Sequence, residues 1–482
     1  MPAIVSVSWD GYVHYRVSNQ IAQGDAIVTT GADAINYNMD GIYEVGLVPW
    51  GTSENDWDSN WRGVLTEEGM EKANEKFADL GDIIFDVRDN NLVWNDSTPG
   101  RVPNALGLML GYALGAPYLL RLFLGRVTNL LFWVLVIWLA MRRLKSGERI
   151  LCAVGLLPTL LFEACNYSYD PFCIGLIALG VASFVGELQR PDEPLTLGGA
   201  LWILIPFFFG VLTKPTWVAS GLMLLFMPKR KFRTTAGRVW WYLGCAAVAC
   251  TVLWAFMGPF LSRGGQGYGD TRGESMGSGT VNVSSGSQLD YIAGHPVQFV
   301  LVMAGWFISY LNPLPFLSDL FVNFCYLPRP VLWPLLVAGE VCLLGAATLF
   351  DRGAADDGWP NKALRIAAVV GIVLGYLVSA LAMYLSYTNV GSWYLLGMQV
   401  RYWLLFLAPL LLLVLNFGTK GHRWASQHVG RPVVRFAERH LGKLGQAVAA
   451  EENRGRLFVA SYFWIQCILA WALILLGFLV RF

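Results

Sequence analysis

Asp10, His14 and Arg16 stand within seven residues of one another in "SVSWDGYVHYR" (6–16), set among aromatic side chains. A carboxylate can take a proton from a hydroxyl, and a neighbouring imidazole can orient it for that task. An arginine can neutralise a phosphate, often through two parallel N–H donors. Similar groups recur far along the chain. Glu163 lies just before "NYSYD" (166–170) and Asp170 ends it, Lys214 lies in "LTKPTW" (212–217), and Gln399, Arg401 and Tyr402 lie in "GMQVRYW" (397–403).

Each of these has an ordinary structural role open to it. Asp10 can cap a helix over 11–22 that ends at Gly24, and His14 then lies one turn on, on the same side. Arg16 and Arg401 can be long side chains anchored at a membrane surface. Asp170 before Pro171 is a good helix start. What argues for more is their common depth in the membrane, which the spans must establish.

The chain has 482 residues, 55% hydrophobic and only 14% charged, with a mean hydropathy of +0.47. A soluble domain carries nearer a quarter charged residues, so an all-α polytopic membrane protein is expected. Residues 1–103 hold 17 acids and 6 bases, a net −11, and the remainder is +12. An acidic block and a basic apolar block are different compartments of one molecule. The eight cysteines show no metal-ligand spacing and no disulfide framework, and they read as small buried hydrophobes.

A membrane helix needs about 20 apolar residues. Ten segments qualify: 121–142, 149–166, 170–187, 197–212, 215–227, 239–260, 331–350, 364–386, 400–417 and 457–480. Thr213-Lys214-Pro215 predicts a sharp break, because proline removes a donor and drives its predecessor out of helical geometry. Residues 104–120 and 297–311 are apolar but rich in glycine and polar groups, and read as interfacial or re-entrant helices. Four regions follow: an acidic segment 1–120, a six-helix bundle 121–260, a Gly/Ser-rich loop region 261–330, and a four-helix part 331–482.

Lysine and arginine favour cytoplasmic loops. "MRRLKSGER" (141–149), "PKRKFRTTAGR" (228–238) and the connection 418–456 are basic, and the spans between them leave and return in pairs. Residues 1–120, 166–170, 213–216, 261–330 and 387–401 then face outward. Asp10, His14, Arg16, Glu163, Asp170, Lys214 and Arg401 all fall at that outer boundary. An acidic segment of this length must itself cross the membrane, so an eleventh helix upstream of Met1 is expected.

Other signals are weak. "DWD" (56–58) has two carboxylates that could hold a divalent cation, though chance explains the pattern in so acidic a segment. The Gly/Ser-rich stretch 264–287 has no phosphate-loop context and reads as a mobile external loop. No set of metal ligands, firm cofactor site or nucleic-acid interface is expected, and a divalent cation stays open as a cofactor.

"WDGYVHYRVSNQIAQG" resembles the Pro-Asp-Glu-x-x-His-x-x-Arg segment, followed by Ser-x-Gly, of a bacterial multi-spanning family of unknown function, domain 2142. The resemblance continues through "RVTNLLFWVLVIWLAMR" (126–142), "LLPTLLFEACNYSYDPF" (156–172), "LTKPTW" and "GMQVRYWLLFLAP" (397–409). Two positions depart from it: Gly11 stands where a second acid is expected, and Val400 replaces a glycine before Arg401. That family is similar to the type C membrane glycosyltransferases. The resemblance implies transfer of a sugar from a polyprenyl-phosphate donor to an envelope glycan acceptor, at the outer face of the bacterial cytoplasmic membrane.

Such chemistry needs a base near the acceptor hydroxyl and cations near the leaving phosphate. Asp10 is then the expected base, oriented by His14, with Asp170 placing the acceptor or a metal. Arg16, Lys214, Gln399, Arg401 and Tyr402 are the expected substrate-binding residues, and membrane lipids surround the whole. A transporter or flippase of lipid-linked glycans explains the spans equally well, and a non-catalytic scaffold for envelope assembly predicts that the outer charges are dispersed.

Overall fold

A computed structural model describes residues 4–5, 8–24, 26–37, 67–81, 83–89, 97–262, 283–309, 312–325, 332–350, 361–415 and 431–440, with isolated positions from 424 to 472. The acid pair at 56–58, most of the Gly/Ser-rich stretch, most of the basic connection 418–456 and most of the expected last span 457–480 lie outside the described residues.

The N-terminal part is a small mixed unit. Helix α1 (Gly11–Gln23) leads to strand β1 (Ala26–Thr30) and helix α2 (Gly31–Asn36). Helix α3 (Glu67–Leu80) precedes strand β2 (Ile84–Asp89), which pairs antiparallel with β1. This two-stranded ribbon was not expected from the sequence. Glycine ends α1 where the sequence places it, with Gly24 at φ 75°. Asp33 ties the unit together from a buried position. Tyr15 Oη donates to its Oδ1 at 2.6 Å, while Thr30 N and Oγ1 donate to Oδ2 at 3.1 and 3.0 Å. Burial pushes the Asp33 carboxyl up from its ordinary range, opposed by these donors.

Helix α4 (Val102–Ala113) then packs closely on α5 (Tyr118–Arg143). A Cβ at Gly107 would lie 2.2 Å from the Leu124 carbonyl oxygen, so only glycine permits this approach. The expected span 149–166 is instead two short helices, α6 (Glu148–Gly155) and α7 (Pro158–Ala164). Pro158 cannot donate to the preceding turn, and the chain breaks before it.

Helix α8 (Asp170–Leu188) is the centre of the bundle. Its apolar window is 94% buried, against 11% for helix α10 (Thr235–Ser262), which is mostly exposed. Between them α9 (Leu197–Thr213) ends at the expected break, and Pro215–Phe226 continues as a 3₁₀ helix. At about 2.0 Å rise per residue, twelve residues of 3₁₀ helix reach about 24 Å, much of a bilayer core.

Helices α11 (Ser285–Gly294) and α12 (Pro296–Ser309) meet at 107°, the geometry of a broken or re-entrant span. Then come α13 (Pro313–Phe321), α14 (Trp333–Phe350) and α15 (Lys362–Ser386). A compound helix follows: 3₁₀ at Val400–Trp403, α16 (Leu404–Pro409) and a π turn at Leu410–Val414. Helix α17 (Arg431–His440) is amphipathic and largely exposed.

Four helices among the described residues are long and apolar enough to cross a membrane: Tyr118–Arg143, Asp170–Leu188, Thr235–Met257 and Lys362–Ser386. The bent pair makes a fifth if counted as one span. Shorter apolar helices occupy Leu197–Thr213, Pro215–Phe226, Trp333–Leu349 and Val400–Val414. The eight cysteines are free thiols. Cys173 and Cys467 are buried as expected, whereas Cys250 and Cys342 are exposed on apolar helices.

Candidate functional site

The turn "NYSYD" is the platform on which the site is built. Its backbone carbonyls lie between helices, where water cannot serve them, so side chains must. Asn104 Nδ2 donates to Asn166 O at 3.2 Å, and Asn129 Nδ2 donates to Asn166 O and Ser168 O at 3.0 and 3.3 Å. Tyr167 Oη donates to Leu122 O at 3.0 Å. The turn is thereby fixed to α4 and α5, and it delivers Asp170 at the first turn of α8 in one orientation.

Two cations divide the Asp170 carboxylate. Lys214 Nζ donates to Oδ1 at 2.5 Å, and Arg401 Nη1 to Oδ2 at 3.0 Å. The same Arg401 nitrogen donates to Glu163 Oε1 at 3.1 Å, and Nε donates to Gln399 Oε1 at 2.6 Å. Glu163, Asp170 and Arg401 are buried, and the Lys214 side chain is only 12% exposed. Two acids and two bases thus balance in the interior, which offsets the cost of desolvating each.

Aromatic rings close around the cations. Lys214 Nζ lies 4.4, 4.6 and 4.9 Å from the ring centres of Tyr402, Trp217 and Tyr169. The Arg401 guanidinium sits 4.5 Å from the Trp9 ring and 5.5 Å from Tyr402. Desolvated cation–π contacts of this kind are worth about 2 kcal/mol each. The break at Lys214 also acquires a reason: it ends α9 where the ammonium must meet Asp170.

Asp10 reaches the same place from the N-terminal unit. It occupies the cap position of α1 but makes no side-chain cap hydrogen bond, so its carboxylate does not serve the helix start. Its backbone is left-handed, at φ 51°, which a non-glycine residue adopts at a cost of about 1–2 kcal/mol. The carboxylate is 46% exposed, with Oδ2 3.9 Å from Arg401 Nη2. That Nη2 makes no hydrogen bond to a described residue.

His14 does not orient the Asp10 side chain. It is buried one turn on, where its Nδ1 accepts from Arg101 Nε at 3.2 Å and its ring meets Tyr169 edge-on at 4.5 Å. An imidazole that accepts at Nδ1 is neutral, with its proton on Nε2. Burial, then the charges of Arg101, Arg401 and Lys214, hold its pKa well below the ordinary histidine value. Arg16 is exposed on α1 and forms no ion pair with Asp10, Glu163 or Asp170.

A cavity of about 390 Å³ opens beside Arg401. Trp9, Gln399, Val400 and Arg401 form one wall, and Ser309, Phe316, Asp319 and Asn323 form another. Val400 lines this space. Of the aromatic cage only Tyr402 was picked out from the sequence; Trp9, Tyr169, Trp217, Arg101 and the Asp319–Asn323 wall were not. Trp9, Tyr169 and Trp217 are each next to, or within three residues of, a charged site residue, which was the available signal. Nothing local marks Asp319. No group of three or more His, Cys, Asp or Glu suited to a metal ion occurs among the described residues.

Helices that span a membrane, a buried charge-balanced cluster at one end of the bundle and a small N-terminal unit seated on it define a multi-pass helical membrane protein. Residues 102–414 match the family described as Predicted membrane protein (DUF2142), and the chain belongs to that family. The match begins after the N-terminal unit, so the segment carrying Asp10 and His14 lies outside it. No curated protein and no solved structure matches the chain.

Proposed function

We propose that the chain is a membrane glycosyltransferase that uses a polyprenyl-phosphate sugar at the outer face of the cytoplasmic membrane. The observation that carries this reading is the pairing of Asp10 with Arg401. Asp10 is strained and half-exposed, performs no capping, and lies against a guanidinium that lines a cavity. Backbone strain held at such a place is a feature of functional sites.

In this reading the acceptor hydroxyl oxygen attacks the anomeric carbon of the donor. The bond from that carbon to the phosphate oxygen breaks, and the phosphate leaves with the electron pair. The hydroxyl proton passes to Asp10. Arg401 Nη2, which makes no hydrogen bond to a described residue, meets the developing charge on the phosphate. Asp170 and Glu163 hold Arg401 in position, and Lys214 holds Asp170. Lys214 is committed to Asp170 and its aromatic cage, so we assign it to positioning and not to the phosphate. His14 supports Tyr169, and Arg16 has no role in the step. The cavity, with Asp319, Asn323 and Gln399 on its walls, receives the sugar. Exposed apolar faces between spans lie against the lipid tail.

The test is transfer from a polyprenyl-phosphate sugar in vesicles reconstituted with the chain. Asp10→Asn should lower the rate by about 10²–10⁴-fold with donor binding retained, because asparagine cannot take the proton. Near-normal transfer by this variant would move the base elsewhere.

A further inference from the structure

We propose that the opposite end of the bundle binds the phosphate headgroup of an anionic phospholipid between Arg143 and Arg190. Asp170 begins α8 at the candidate site, and Glu187 lies near its other end. At about 1.5 Å per residue the two are roughly 26 Å apart, close to one hydrocarbon thickness. The chain therefore carries a second charged cluster at the second membrane surface.

That cluster is unbalanced. Lys231 is fully buried, donates to Arg190 O and Glu193 O at 2.9 and 2.6 Å, and pairs with Glu187 Oε2 at 2.9 Å. It uses all three of its hydrogens and belongs to the fold. Arg143 and Arg190 approach the other oxygen, Glu187 Oε1, at only 3.8 and 4.0 Å. One carboxylate oxygen cannot satisfy two guanidinium groups that also repel each other. Arg143 donates no side-chain hydrogen bond to a described residue, and its buried Nε has no partner among them. Arg190 makes a single long one, from Nη2 to Arg143 O at 3.5 Å. Both side chains are 24% exposed.

A pair of under-used, partly buried guanidinium groups sharing one acid suits a phosphodiester, which offers two oxygens to a planar fork. The surroundings carry the same sign. Segments 142–149, 187–193 and 229–233 hold nine bases against four acids, a net +5. The position also suits acyl chains. Leu197, Leu201, Trp138 and Trp202 are exposed beside the cluster, with Arg143 5.4 Å from the Trp202 ring and Arg142 5.6 Å from the Trp138 ring. Basic residues beside exposed tryptophans are how helices meet a headgroup layer, and anionic lipids are drawn to such clusters.

The experiment uses the full chain in detergent, titrated with phosphatidylglycerol or phosphatidylcholine, with bound lipid counted by native mass spectrometry. Phosphatidylglycerol should bind at least about tenfold more tightly, a difference of about 1.4 kcal/mol. Arg143→Gln with Arg190→Gln should remove that preference. Lys229→Gln with Arg233→Gln, which deletes two exposed charges, should largely keep it. Arg143→Lys with Arg190→Lys keeps the charge without the fork and should fall between, which guards against a folding defect in the glutamine pair. Equal binding of the two lipids, or equal loss from both glutamine pairs, would overturn the site. Saturation by inorganic phosphate that displaces the lipid and reproduces its thermal stabilisation would make this a soluble-anion site and overturn the lipid assignment.

Discussion

Arg401 Nη1 lies 3.0 Å from Asp170 Oδ2, although 231 positions separate the two residues. The contact joins the start of the most buried of the four long apolar helices to the 3₁₀ turn that opens the compound helix. Lys214 binds the other oxygen of the same carboxylate, so one acid anchors three segments of the membrane domain.

Asp170→Asn keeps the shape of that acid and removes its charge. Lys214 and Arg401 are then left with Glu163 and the more distant Asp10. Removing one partner of a buried charge set costs about 3–5 kcal/mol. Thermal unfolding of the purified chain in detergent should show the variant clearly destabilised. A Tm within a degree or two of the parent would contradict the assigned anchoring role.

Asp10→Gly separates strain from chemistry. Glycine adopts the left-handed conformation without penalty, and no cap hydrogen bond is lost. The substitution should leave stability unchanged or raise it by up to about 1 kcal/mol, while glycosyl transfer is abolished. Loss of stability together with activity would make Asp10 a structural residue.

His14 gives a pH dependence with a defined sign. Its folded pKa is depressed below the unfolded value of about 6.5. Above that value neither state is protonated, and the stability is fully present. As pH falls below 6.5 the unfolded chain takes up a proton that the folded chain refuses. Stability then declines by at most about 1.4 kcal/mol per pH unit until the folded pKa is reached. His14→Gln should flatten the fall in Tm between pH 7 and pH 5. An unchanged slope would mean that His14 is charged in the fold, despite Arg101 at its Nδ1.

Gly107→Ala probes the seat of the N-terminal unit. The added methyl carbon would meet the Leu124 carbonyl oxygen at 2.2 Å, a backbone atom that cannot swing away. Overpacking of this kind costs about 1–3 kcal/mol. Limited proteolysis should cut the variant faster between α4 and α5. Parent-like kinetics would show that the two helices can part without penalty.

Topology is open to direct labelling. With the eight native cysteines replaced, a thiol at 392 should react with an impermeant reagent only from outside. One at 435 should react only from the cytoplasm. Labelling of both from one side would overturn the orientation drawn from the basic loops.

Sequence alone determined the membrane class, because apolar runs of span length admit few other folds. It also located the end of α1 at Gly24, the break at Lys214-Pro215 and the bounds of the helices around 121–142, 170–187 and 364–386. Each is a local effect of a glycine, a proline or a long apolar run, and local effects are readable in order along a chain. The split before Pro158 was equally local, but a continuous apolar run masked it. The β1–β2 pairing joins segments about 60 residues apart, and no pattern within either one announces the other.

Common depth of Glu163, Asp170, Lys214 and Arg401 was inferable from the spans. Which atoms meet was not. Tertiary packing decided that Lys214 and Arg401 divide Asp170, that His14 turns to Arg101, and that Arg16 stays outside. The cavity wall at Asp319 and the crowding of Arg143 and Arg190 on Glu187 were decided in the same way. Helix rotation and interhelical distance set such contacts, and a one-residue turn of α8 by 100° would exchange every partner of Asp170. Those rotations are fixed by packing across the whole bundle, which no single stretch of the sequence contains.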